Sequence, residues 1–126
     1  MTMTAKLSRG LPPADVAGAA ALTTAASLFH GLADPARLAI VQHLSLGEHR
    51  VVELTEHLGL AQSTVSGHLA CLRGCGLVTS RAEGRSSVYS LARPELMGLL
   101  AVAEQLLAAT GDAVVLCPAH GTGGDA

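Results

Sequence analysis

A chain of 126 residues fits one domain of ordinary size. Hydrophobic residues make up 49% of it but aromatics only 2%, so a core must be built from Leu, Val, Ile and Ala, a palette better suited to packed helices than to a β-sandwich. The formal net charge of −2 excludes a globally basic nucleic-acid binder, and three cysteines, an odd number, argue against a disulfide framework and for metal or redox chemistry.

Met1 to Leu11 lacks the apolar core of a signal peptide, and Asp, Arg, His or Glu interrupts every apolar run. A cytoplasmic protein with no membrane partner is expected, in a compartment where thiols stay reduced. Residues 1–14, polar and then Pro-containing, read as a flexible arm. Asp15 is expected to cap a helix from about Val16 to His30. Val16, Ala20, Leu22, Ala26, Leu28 and Phe29 make that helix apolar on most sides, so it wants a partner, and a second protomer is the obvious one. Gly31 should end it.

Asp34-Pro35 then restarts the chain as N-cap and first helical residue, with Leu38, Val41, Leu44 and Leu46 at helical spacing. A short helix is predicted from Val51 to Leu58, a turn at Gly59-Leu60-Ala61, and a further helix from Gln62 to Gly74. Two helices around a three-residue turn containing Gly form a helix-turn-helix. Leu77 to Arg81 and Ser87 to Leu91 read as strands around a loop at Ala82 to Ser86, a wing. Pro94 opens a last apolar helix to about Ala109, and Gly111 ends it. The expected fold is mainly α with a β-hairpin wing, a winged helix-turn-helix. It divides into the arm, a DNA-binding and dimerisation domain over residues 15–112, and a tail over residues 113–126 that carries Cys117.

Local charge favours double-stranded DNA as a partner. From Ala61 to Arg93 the basic residues are Arg73, Arg81, Arg85 and Arg93, against the single acid Glu83. The second helix of the pair carries Gln62, Ser63, Thr64, Ser66 and His68 in its first two turns, while Val65, Leu69 and Leu72 are spaced to face a core. An apolar back with short polar side chains at the N-terminal end is what a recognition helix needs. Arg81 and Arg85 flank the wing turn, where they can reach the backbone or the minor groove. No Ser-His-Asp set, phosphate loop or paired-carboxylate pocket is present, so an enzyme is not expected.

Cys71 and Cys75 stand four residues apart on the recognition helix, on one face. Cys117, in the tail, can fold back or reach across a dimer. Three thiolates make a trigonal site suited to Cd(II), Pb(II) or As(III). Zn(II) prefers four ligands, with His120 as an addition, and fits less well. His30, His43, His49 and His57 show no ligand spacing and are assigned to surface or packing roles.

The stretches Gly31-Leu-Ala-Asp-Pro-Ala-Arg-Leu-Ala-Ile-Val, Val52-Glu-Leu-Thr-Glu-His-Leu-Gly-Leu, Gln62-Ser-Thr-Val-Ser-Gly-His-Leu and Gly84-Arg-Ser-Ser-Val-Tyr-Ser-Leu resemble the ArsR/SmtB family of metalloregulatory repressors. The resemblance implies a homodimer joined by the first and last helices, operator DNA bound by the metal-free form, and release on binding metal. His68-Leu-Ala-Cys-Leu-Arg-Gly-Cys-Gly-Leu-Val resembles the cadmium- and lead-sensing CmtR-type branch. In that branch two cysteines of the recognition helix and a C-terminal cysteine of the other protomer form the site, which implies Cys71, Cys75 and Cys117 here. The arsenic-type Cys-x-Cys motif is absent, since the short helix reads Val51-Val-Glu-Leu-Thr, and Pro94 to Gln105 lacks the His and Asp of a zinc-type site. The expected function is a metal-responsive transcriptional repressor. The alternatives are a repressor of the same fold that senses oxidants or reactive sulfur through its thiols, and a dimeric adaptor without regulated DNA binding.

Overall fold

The computed structural model describes residues 12–117, with side chains from residue 17 onward. Residues up to His30 form one compact unit and those from Gly31 onward a second. The first unit is dominated by α1 (Pro12–Leu32), a 21-residue helix. It begins at Pro12 and not at Val16, so Asp15 lies inside the helix and is not its cap. Proline is pre-set for the first helical position, and the alanine-rich run that follows propagates a helix readily. The helix also passes through Gly31 to end at Leu32. Leu22 and Phe29 on α1 are 74% and 57% exposed, so large apolar surface stays uncovered in the single chain.

In the second unit Asp34 adopts an extended backbone, and its Oδ1 accepts from the N–H of Ala36 at 2.8 Å and of Arg37 at 3.2 Å. This starts α2 (Pro35–Ser45), which buries Ile40, Val41 and Leu44. A two-residue strand β1 (His49–Arg50) leads directly into α3 (Val51–Leu58). Periodicity could not reveal β1, because two residues carry no alternation. The Arg50 N–H donates to Glu53 at 2.7 Å across the first turn of α3. Gly59 closes α3 at φ 68°, a left-handed position that favours glycine, and the chain turns within three residues into α4 (Gln62–Gly74).

The end of α4 is a Schellman motif. Gly76, at φ 77°, donates to the Arg73 carbonyl at 2.9 Å, and Leu77 donates to the Leu72 carbonyl at 3.0 Å. Cys75 is therefore the capping residue of α4. Strands β2 (Val78–Glu83) and β3 (Ser86–Leu91) follow, joined by a two-residue turn with Gly84 at φ 63°. The sheet order is β1-β3-β2, all antiparallel, with His49 opposite Tyr89, Arg50 opposite Val88, and Val78 opposite Leu91. The last helix is α5 (Glu95–Ala109). The helix-turn-helix bounds match the expectation; the wing strands run further toward each other than expected, because the left-handed Gly84 lets a two-residue turn replace the expected loop at Ala82 to Ser86, and Pro94 is the N-cap of the last helix and not its first residue.

The core is aliphatic throughout, as the composition required. Ile40, Val41, Leu54, Val65, Leu69 and Leu72 are fully buried, and no polar or charged side chain is buried among the described residues. No helix of the described residues is long and apolar enough to cross a membrane.

Leu54 joins α3 to this core, so Leu54→Ala should lower unfolding stability in urea by about 2–5 kcal/mol. Asp34 gives a pH signature. The Arg37 and Ala36 N–H donors, with His68 and Arg37 nearby, hold its carboxyl below the ordinary value of 3.8. A depressed acid adds stability above its unfolded value and loses it as pH falls through the folded one. Asp34→Ala should therefore lower the unfolding midpoint at pH 7, and the gap to the unmodified chain should close as pH drops below about 4.

Candidate nucleic-acid interface and cysteine site

The helix-turn-helix positions α4 by burying one side of it. Val65, Leu69 and Leu72 are fully buried, while Gln62, Ser63, Thr64 and Ser66 stay exposed on the opposite side. Ala61 at the N-cap offers no side-chain hydrogen bond, so the first N–H groups of α4 are left for an incoming anion. Beside them lies a groove of about 320 Å³, bounded by Gln62 and Ser66 of α4, Arg50 of β1, and Arg85, Ser87 and Tyr89 of the wing. Its two guanidinium groups, from Arg50 and Arg85, suit a sugar-phosphate strand.

The wing arginines are not equivalent. Arg81 donates to both carboxylate oxygens of Glu48, at 2.7 and 2.9 Å, and to Glu83 at 3.1 Å. Those carboxylates raise the Arg81 pKa, and Arg81 in turn lowers that of Glu48. Arg50 donates to Glu83 at 2.7 Å. Arg85 projects from the turn into the groove. The sequence singled out Arg81 and Arg85 alike; the structure gives Arg81 an acidic partner, Glu48, that sequence distance hid, and adds Arg50 to the groove. These pairs are exposed, so they yield to a phosphate at little cost.

His68 sits on the inner side of α4. Its Nδ1 lies 3.2 Å from Arg37 Nη1, and since a guanidinium only donates, Nδ1 accepts. Its Nε2 then carries the proton and faces Asp34 at 4.0 Å. Arg37 Nε also donates to the Gly31 carbonyl at 2.7 Å. His68 thus ties the recognition helix to the start of α2, a different placement from the open side that bears Gln62 and Ser66.

Cys71 and Cys75 are half-buried at the other end of α4, one helical turn apart on the same face. Burial pushes the Cys75 thiol above its ordinary 9.0, and the neighbouring Cys71 adds to the rise. Gly31 makes the room for this pair: a Cβ there would stand 2.7 Å from the Cys75 sulfur. Cys117 is buried elsewhere. Its N–H donates to Glu104 Oε2 at 2.8 Å, as does the N–H of Leu116, and its thiol faces the Met97 carbonyl at 3.7 Å. Gln42 of α2 also donates to the Leu116 carbonyl at 3.2 Å. Burial, then Glu104, raises the Cys117 thiol pKa. Within one chain the structure brings Cys71 to Cys75 but not Cys117 to either. His120 lies outside the described residues.

A cluster missed by the sequence reading lies at the base of the sheet. His43 of α2, His49 of β1 and His57 of α3 each offer a ring nitrogen, all within 4.8 Å of one another. The rings of His43 and His57 stack at 4.6 Å, and that of His49 stands edge-on to both, at 6.0 and 5.5 Å. This corrects the expectation that these histidines lack ligand geometry. They are six and eight residues apart, a spacing that no single element makes adjacent, and the unrecognised β1 is what closes the gap. Partial burial lowers the His43 pKa below 6.5, and the His57 and His49 rings lower it further.

Comparison with known proteins gives one answer. Residues 34–80 match the family model for bacterial regulatory proteins of the arsR family. The probable mercury resistance operon repressor of Streptomyces lividans is 39% identical over 75% of this chain and 75% of its own. The HTH-type transcriptional regulator CmtR of Mycobacterium tuberculosis is 45% identical over 67% of this chain and 71% of its own. The homodimeric winged helix-turn-helix DNA-binding domain Mb0332 of Mycobacterium bovis superposes with a TM-score of 0.65 at 33% identity, covering 72% of this chain and 83% of that one. Helix-turn-helix, wing, groove and relatives agree: the chain belongs to the arsR family of bacterial regulatory proteins and is a regulator, not an enzyme.

Proposed function

We propose that the protein is a homodimeric transcriptional repressor whose metal-free form holds operator DNA and which a soft, thiophilic ion releases. The observation that carries the reading is the Cys71–Cys75 thiol pair at the far end of the helix whose near end presents Gln62, Ser63, Thr64 and Ser66. Two adjacent sulfurs fit Cd(II), Pb(II) or As(III), and the mercury resistance relative adds Hg(II) to that class. Such an ion wants a third thiolate. Cys117 is held on Glu104 within its own chain, so the second protomer is the source we assign to the third thiolate. The exposed apolar residues of α1 and α5, Leu22 and Phe29 on one and Val102 and Leu106 on the other, suit a dimer joined through these helices, as does a homodimeric neighbour.

The coupling follows from the helix. An ion that draws Cys71 and Cys75 toward a third sulfur loads the C-terminal turn of α4, and the reading face at its N-terminus moves with it. A difference of about 1–3 kcal/mol between metal-bound and metal-free forms, roughly 5- to 150-fold in DNA affinity, is what such coupling supplies.

Titration of the reduced protein with Cd(II) should develop thiolate-to-metal absorption in the near ultraviolet, saturate at one ion per protomer and release operator DNA. Cys71→Ser and Cys75→Ser should abolish both effects, and Cys117→Ser should weaken them. Indifference of the absorption to all three substitutions would overturn the reading. Because the Cys75 thiol must lose its proton to bind and burial raises its pKa, apparent Cd(II) affinity should rise with pH and go on rising beyond the ordinary thiol value of 9.0.

Gly31→Ala should force the Cys75 sulfur off its position and weaken Cd(II) binding more than it weakens DNA binding. A calorimetric titration beside a DNA-binding assay separates the two. Arg85→Ala should weaken DNA binding about equally for all sequences and reduce the slope of log affinity against log salt by about one. Gln62→Ala should relax preference at one base position, read from selection on randomised operators.

A further inference from the structure

We propose that His43, His49 and His57 form a second metal site, separate from the cysteines, that takes an imidazole-preferring divalent ion of the Zn(II), Ni(II), Co(II) or Cu(II) class. The three ring nitrogens converge from three elements to within 4.8 Å of one another. Two nitrogens bound to one tetrahedral ion at about 2.1 Å each stand about 3.4 Å apart, so small side-chain rotations close the site. The donor set is neutral nitrogen only, which favours borderline ions over the soft ions that thiolates select.

One ligand is already oriented. His49 Nδ1 lies 2.8 Å from the Gly47 carbonyl, and a carbonyl only accepts, so Nδ1 carries the proton and Nε2 presents a lone pair. A second hydrogen bond of this kind is what ligating histidines ordinarily hold. His57 is exposed, so an ion reaches the cluster from solvent and keeps water in its fourth position.

The placement has a consequence for the regulator. An ion held by all three rings would clamp α2, β1 and α3 together, and α3 is the first helix of the helix-turn-helix. It would stiffen the support of the recognition helix at a place apart from the cysteines.

The test is Ni(II) added to the reduced full-length protein, followed by histidine ring resonances in NMR. Selective paramagnetic broadening of His43, His49 and His57, with His30 and His68 sharp, is the expected result. His57→Ala, which removes an exposed ring and leaves the core intact, should weaken Ni(II) binding about tenfold or more. The Cys71→Ser, Cys75→Ser, Cys117→Ser triple variant should bind Ni(II) as the unmodified chain does, which separates this site from the sulfur site. Broadening spread evenly over all histidines, or Ni(II) affinity unchanged by His57→Ala, would overturn the proposal.

Discussion

The burial of Val65, Leu69 and Leu72 is the constraint from which the rest of the structure follows. Seating those three side chains against α2 and α3 fixes the rotation of α4 about its own axis. With that rotation set, Gln62, Ser63, Thr64 and Ser66 have one direction left, outward, and Cys71 and Cys75 are held half-way between core and solvent. A helix rotated by a quarter turn would hide the polar face and open an aliphatic core to water. Since each fully buried aliphatic side chain contributes roughly 1.5–3 kcal/mol, the orientation of the reading face rests on packing and not on any polar contact.

Polar contacts adjust what packing has set. Asp34 caps α2 and stands near His68; Arg37 binds the Gly31 carbonyl and His68; Gly31 in turn leaves space for the Cys75 sulfur. These residues link the entrance of α2 to both the middle and the end of the recognition helix. A disturbance at the thiols therefore meets a short chain of direct contacts that reaches α2.

Much of this architecture was legible in the sequence because its signals are local. The Asp34-Pro35 start, the glycine after α3, and the apolar spacing of α4 and α5 each lie within one element, and these features came out within a residue of the reading. The start of α1 did not, because Pro12 and the alanines beyond it extend a helix upstream of the polar residue that looked like a cap. The Cys71–Cys75 pair was visible for the same local reason, being one helical turn apart. The histidine cluster and the pairing of Arg81 with Glu48 were not. Glu48 and Arg81 are 33 residues apart, and only the pairing of β1 with β3 brings their neighbourhoods together. Long-range pairing through a two-residue strand leaves no periodic trace.

Tyr89 is the only tyrosine of a chain that has no tryptophan. The fold has put it on β3, lining the groove beside Gln62 and paired in register with His49. The protein's single phenolic fluorophore thus sits between the surface that faces DNA and the histidine cluster. Its emission is an intrinsic optical signal for events on either side of the wing, with no label to attach and almost no aromatic background to subtract.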